Sequence, residues 1–137
     1  MTRATVLLAD DHPMNTVLLR SLLVPAFDVV GDVADGWELV AAAERLSPDV
    51  IVTDIGMPGI DGIEAARRIL ARNPSARVVF VTVQSDPEVV RRSLATGAMG
   101  YVVKLVAGDE LVPAVHAALR GERHVTAIAG ADDQQRW

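Results

Sequence analysis

Apolar residues are distributed along the chain in two alternating patterns. Short apolar runs rich in β-branched side chains, Ala4-Thr5-Val6-Leu7-Leu8-Ala9, Val50-Ile51-Val52-Thr53, Val78-Val79-Phe80-Val81 and Gly100-Tyr101-Val102-Val103, read as strands buried on both faces. Phe27 to Val33 is a weaker run of the same kind. Between these runs, apolar residues recur at helical spacing: Val17, Leu18, Leu22 and Leu23; Leu39, Val40, Ala43 and Leu46; Ile63, Ala66, Ile69 and Leu70; Val89, Val90 and Leu94; Leu111, Val115 and Leu119. The punctuation agrees. Pro13 suits a first helical turn, Ser47-Pro48 and Asn73-Pro74 end helices, Asp61 with Glu64 resembles a capping box, and Ser85-Asp86-Pro87-Glu88 carries capping chemistry. Pro113 must either sit in the first turn of the last helix or kink it. Strands alternating with helices predict an α/β fold: a doubly wound, five-stranded parallel sheet with helices on both faces.

In such a sheet the carboxyl ends of the strands share one side, where ligands bind. The buried run Val50 to Thr53 stops on Asp54, and Gly56, Pro58 and Gly59 cannot continue it. The other strands end on Asp10 and Asp11, on Thr82 and on Lys104, so four sequence-distant segments deliver polar residues to one cleft. Taken singly, each has a plainer reading: a helix cap for the aspartates, a strand end for Thr82, a solvated charge for Lys104. Together they point to chemistry. Carboxylates crowded within about 4 Å repel by about 4 kcal/mol per pair at an intermediate dielectric unless a cation lies among them. All-oxygen ligands suit Mg²⁺, with Mn²⁺ as a substitute. A metal-bound aspartate beside an amine and a hydroxyl can accept a phosphoryl group, with Lys104 and Thr82 each taking one of its oxygens. No obvious base stands by to hydrolyse the product, His12 being as readily a cap or surface residue, so storage of a signal is favoured over turnover.

The 137 residues suit one domain with a real core, and half of them are apolar. The absence of cysteine removes disulfides, thiolate metal sites and a cysteine nucleophile, and agrees with a cytoplasmic location. A net charge of −5 argues against this chain alone holding nucleic acid, and the amino-terminal apolar segment is too short for a signal peptide or membrane span. His116 and His124 are surface residues by default, and residues 122–137 read as linker or C-terminal tail.

The Asp10-Asp11 pair, Asp54 followed by Met57-Pro58-Gly59-Ile60-Asp61-Gly62, Val81-Thr82 and Gly100-Tyr101-Val102-Val103-Lys104 resemble the receiver domain of bacterial two-component response regulators, over about residues 4–120. The spelling from Gly97 to Thr126 is similar to the NarL/FixJ-type branch. The resemblance implies a flavodoxin-like strand order of 2-1-3-4-5 and a receiver domain over residues 1–121. It makes Asp54 the phosphoacceptor and places the metal on Asp10, Asp11, Asp54 and the Gly56 backbone carbonyl. Thr82 becomes the switch hydroxyl, Lys104 the phosphate-pairing cation, and Tyr101 an aromatic that changes rotamer, although Tyr101 also reads as ordinary packing. The implied partners are a sensor histidine kinase, a second copy on phosphorylation, and DNA through an output domain that the 137 residues do not contain. A stand-alone regulator, a phosphorylation-independent pseudo-receiver and an aspartyl-phosphate phosphatase are the alternatives. Leu105 departs from the commoner family pattern, in which a cis proline follows the lysine, and so opens the geometry of that loop.

Overall fold

A computed structural model describes residues 3–127. Six parallel strands, β1 (Thr5–Ala9), β2 (Asp28–Val33), β3 (Val50–Thr53), β4 (Val78–Thr82), β5 (Gly100–Val103) and β6 (His124–Val125), lie in the order β2-β1-β3-β4-β5-β6. The order 2-1-3-4-5 is the expected one, and β6 extends it by one short strand. Five helices connect them: α1 (Pro13–Leu23), α2 (Gly36–Leu46), α3 (Gly62–Arg72), α4 (Pro87–Ala95) and α5 (Ala107–Leu119).

Strand periodicity of two divides the core into two layers. Leu7, Ala9, Ile51, Phe80 and Tyr101 face α2, α3 and α4, where Leu39, Ile63, Ala66, Ile69, Val90 and Leu94 cover them. Val6, Leu8, Val52, Val79, Val81 and Val102 face α1 and α5, against Leu19, Leu23, Leu111, Ala114 and Val115. β1, β3 and β4 are almost wholly buried, which is why they read as continuous apolar runs; β2, at the sheet's edge, alternates exposed and half-buried residues.

Capping chemistry sets three helix starts. Asp35, Asp61 and Asp86 each accept a backbone N–H from inside the first turn, from Glu38, Glu64 and Glu88 respectively. Pro113 lies in the middle of α5, not in its first turn. The helix begins earlier than the apolar spacing shows because a 3₁₀ turn, Lys104–Val106, runs straight into it. Pro113 removes one backbone donor there, a loss of about 3 kcal/mol in an isolated helix, and the buried face of Leu111, Ala114, Val115, Ala117 and Ala118 outweighs it. No peptide bond among the described residues is cis, so the loop at Leu105 takes the 3₁₀ turn with trans geometry.

The start of the tail departs from a linker. His124 N–H donates to the Met99 carbonyl at 3.1 Å and Thr126 N–H to the Tyr101 carbonyl at 2.8 Å. Glu110 Oε1 then accepts from the Thr126 hydroxyl at 2.7 Å and lies 3.0 Å from His124 Nε2. His124 is thus half-buried against a carboxylate and not a free surface residue, whereas His116 is exposed and its ring lies tilted against Phe27 at a centroid separation of 4.9 Å. Burial raises the Glu110 pKa, but the contacts with His124 and Thr126 outweigh it and hold the group below the usual glutamate range. Residues beyond 127 in the expected tail lie outside the described residues.

Candidate functional site

Asp10, Asp54, Thr82 and Lys104 each end or directly follow a strand of one parallel sheet, and the fold brings Asp10, Asp54 and Lys104 into contact. Asp54 is 7% exposed and Asp10 3%, both deep for carboxylates. Asp54 Oδ1 accepts the Ile55 N–H at 2.7 Å, and its Oδ2 accepts from Lys104 Nζ at 2.8 Å. Asp10 Oδ1 accepts the His12 N–H at 2.9 Å. Lys104 Nζ also lies 2.7 Å from Asp10 Oδ2, a close ion pair outside regular hydrogen-bond geometry, so one amine is shared between two carboxylates. Burial works against the charged amine; Asp10 and Asp54 together outweigh it and hold the Lys104 pKa above the ordinary lysine range.

The balance of charge is incomplete. Asp10, Asp11 and Asp54 present three carboxylates to one ammonium, and Asp11 Oδ1, like Asp10 Oδ2, is buried with no hydrogen-bond donor. One ligand atom from each of Asp10, Asp11, His12 and Asp54 lies within 4.8 Å of the others. Two oxygens on opposite sides of an octahedral Mg²⁺ stand about 4.2 Å apart, so small rotations fit the cluster to such an ion. The orphaned buried oxygens are the donor set a hard divalent cation requires. Gly56 is exposed in the loop two residues beyond Asp54, with open space where a side chain would be.

That loop is pinned by close backbone approach. A Cβ on Gly62 would come within 2.0 Å of the Asp54 carbonyl, and one on Gly36 within 2.0 Å of the Ile60 carbonyl. Only glycine lets α3 and α2 start against the loop. The Gly62 N–H donates to the Ile55 carbonyl at 2.7 Å and the Gly36 N–H to the Pro58 carbonyl at 3.2 Å.

On the other side of Asp54, Thr82 is buried and its Oγ1 accepts the Gln84 N–H at 3.3 Å. Tyr101 is fully buried, and its hydroxyl donates to the Gln84 carbonyl at 2.9 Å. Burial, with the charges of Asp54 and Asp86 adding to it, pushes the phenol up to about 12. Sequence reasoning left His12 aside; its place immediately after two aspartates was the signal available.

An open parallel α/β sheet with acids and an amine gathered at its carboxyl edge defines a protein that binds charged ligands at that edge. The pattern of the response regulator receiver domain family matches residues 6–116, and the chain belongs to that family, in its NarL/FixJ-type branch. It is 37% identical over 121 residues to the nitrate/nitrite response regulator protein NarL of Escherichia coli K12, covering 87% of this chain and 56% of that one. The chain thus spans about half the length of the curated relatives it matches. A two-component response regulator of the LuxR family from Aurantimonas sp. SI85-9A1 superposes with a TM-score of 0.91 at 33% identity, over 98% of this chain and 99% of that one. The isolated receiver domain of RcsB from Salmonella enterica serovar Typhimurium, solved in the presence of the phosphomimetic BeF3⁻, gives 0.83 at 29% identity, over 90% of this chain and 94% of that one. The chain is therefore a two-component signalling module. Among the described residues no helix is long and apolar enough to cross a membrane.

Proposed function

We propose that Asp54 accepts a phosphoryl group from a phosphohistidine of a sensor histidine kinase. One Asp54 carboxylate oxygen attacks phosphorus, the N–P bond breaks, and the imidazole leaves with the electron pair, giving an acyl phosphate. Asp10, Asp11, Asp54 and the Gly56 carbonyl would hold Mg²⁺, or Mn²⁺ in its place. The bound cation supplies neutralisation of charge on the carboxylates and the transferred oxygens. Lys104, released from sharing Asp54 Oδ2, pairs with a phosphoryl oxygen. The Thr82 hydroxyl, which only accepts from Gln84 in this structure, has its proton free for another.

The observation that carries the reading is one geometry: Lys104 Nζ stands 2.8 Å from Asp54 Oδ2 beside buried acid oxygens that no donor satisfies. The switch follows from Gln84, whose N–H is held by Thr82 and whose carbonyl is held by Tyr101. Turning Thr82 toward a new dianion frees one end of that residue and changes what Tyr101 packs against. A cytoplasmic location, a homodimer on phosphorylation and transcriptional output through a DNA-binding domain outside this chain belong to the same reading and rest on the family resemblance.

Incubation with acetyl phosphate and Mg²⁺, followed by intact mass measurement, should show a single phosphate adduct that chelator prevents and Asp54→Asn abolishes. An adduct that persists in Asp54→Asn, or none in the wild type, overturns the assignment.

A further inference from the structure

We propose that Thr126, acting through its hydroxyl and with Glu110, positions the Lys104 amine, so that the working receiver unit extends past residue 121 to Thr126. The inference rests on the reading of Asp54 as the phosphoacceptor and Lys104 as the cation that pairs with the transferred group.

Lys104 is the only lysine in the chain, and it stands where β5 ends and the 3₁₀ turn Lys104–Val106 begins. No residue of that turn is buried, and Leu105 is 92% exposed, so apolar packing does not fix the turn. An ammonium on a flexible four-carbon stem is then placed only as well as the backbone on either side of it.

Both sides lead to one hydroxyl. Thr126 is buried, and its Oγ1 accepts the N–H of Val103, the residue immediately before Lys104, at 3.2 Å. The same hydroxyl donates to Glu110 Oε1 at 2.7 Å, and Glu110 lies on α5, which grows out of the Lys104 turn. Thr126 thereby closes the stretch from Val103 to Glu110 around Lys104.

This contact does more than cover a sheet edge. The β5–β6 ladder pairs Gly100 with His124 and Tyr101 with Val125 and goes no further; at Val103 a side-chain oxygen takes over as acceptor. The hydroxyl gives its one proton to a carboxylate and a lone pair to the backbone, so both partners fix its rotor, and the bond to the carboxylate is of the stronger, charge-assisted kind. The flanks are held as well: the Thr126 N–H donates to the Tyr101 carbonyl at 2.8 Å, and Arg123 donates to the Leu94 carbonyl at 3.2 Å.

Lys104 Nζ, 2.7 Å from Asp10 Oδ2 and 2.8 Å from Asp54 Oδ2, has two opposed effects. It waits where a phosphoryl oxygen arrives, and it competes with a metal ion for the same carboxylates. Loosening its backbone therefore slows phosphoryl transfer, because the charge is no longer in place. Mg²⁺ binding does not weaken, because the carboxylates lose a rival cation. A general loosening of the fold weakens both, so the split separates positioning from stability.

The test compares the full chain with Thr126→Val, Thr126→Ser and Glu110→Ala, each checked for folding by circular dichroism. Phosphorylation by acetyl phosphate at saturating Mg²⁺, well below the melting temperature, should slow roughly tenfold in Thr126→Val, less than the hundredfold that about 1 Å of misplacement costs at a reacting centre. Glu110→Ala should slow it in the same direction, and Thr126→Ser, which keeps the hydroxyl, should restore the wild-type rate. Mg²⁺ should bind both slowed variants at least as tightly as the wild type. Lysine labelled with ¹³C at Cε gives one resonance, that of Lys104, which should broaden and move towards the free-lysine position in Thr126→Val. A wild-type rate with an unmoved resonance, or Mg²⁺ binding that weakens in step with the rate, overturns the role of Thr126 and leaves Asp54 as the acceptor. If Thr126→Val does not fold, the same results in Glu110→Ala overturn it equally. No phosphate adduct on the wild type overturns the reading of Asp54 and this inference together.

Discussion

If three acids crowd around one amine, removing one acid should strengthen the fold. Asp11 is the residue to change, because its Oδ1 accepts no hydrogen bond and Asn keeps its shape. Its neighbours Asp10 and Asp54 offer oxygens within 4.8 Å. At that separation and an effective dielectric of about 20, each repulsion is about 3.5 kcal/mol. The Lys104 amine, touching both neighbours, offsets roughly one of the two. Water reaches the 30% of the Asp11 side chain that is exposed, and screening leaves about 2 kcal/mol. Asp11→Asn should therefore raise the melting temperature in chelator by roughly 5–10 °C for a chain of this size. Added salt should shrink the gain, and Mg²⁺ should stabilise the wild type while doing little for the variant. The measurement is thermal unfolding of both proteins with chelator and with saturating Mg²⁺. A variant that melts at or below the wild type in chelator refutes the reasoning, since it would mean that the acids are not under mutual repulsion.

Two further outcomes follow from groups around the site. Tyr101 is the only tyrosine, so absorbance at alkaline pH reads it alone; the tyrosinate should appear near pH 12, and an ionisation near 10 would contradict its burial. Because the folded protein keeps that proton longer than the unfolded chain, stability should fall as pH rises from about 10 towards 12. Thr126→Val should cost about 1–3 kcal/mol, since it leaves the Val103 N–H without the hydroxyl that accepts from it at 3.2 Å. Hydrogen exchange should quicken at His124 to Thr126, and unchanged exchange there would show that β6 does not depend on the hydroxyl. The depressed Glu110 carboxyl adds stability that is full above its unfolded value of 4.5 and fades as pH falls below it, and Thr126→Val should reduce that acid dependence.

The sequence made the site legible where apolar runs break off sharply. Val50 to Thr53 is wholly buried and the next residue is Asp54, so the strand's end and its carboxylate were visible together. Gly100 to Val103 placed Lys104 in the same way. β6 was not legible because two residues, His124 and Val125, carry no period. What fixes them is distant: the Met99 and Tyr101 carbonyls and the Glu110 carboxylate. The start of α5 was hidden for a related reason, since its first turn grows out of a 3₁₀ turn around Leu105, which is 92% exposed and shows no apolar face. His12 was ambiguous because an N-cap histidine reads alike whether or not its ring caps, and only the structure shows that it does not.

Local rules agree with the fold almost everywhere along this chain. The central strands are apolar on both faces, three aspartates cap three helices, and glycines stand where backbones nearly touch. Among the described residues, and apart from Pro113 inside α5, the disagreement lies at the carboxyl edge of the sheet, where Asp10 and Asp11 bury oxygens without donors. Such a conflict lowers stability and persists only where something else is gained. The surroundings show that it is not slack: Gly62 and Gly36 clamp the loop after Asp54, and the Ile55 N–H fixes one of its carboxylate oxygens. A firm frame around unsatisfied charge relieves it little by moving; under the function proposed above a divalent cation supplies the relief, which makes the binding energy of that ion available to the conformation of the site.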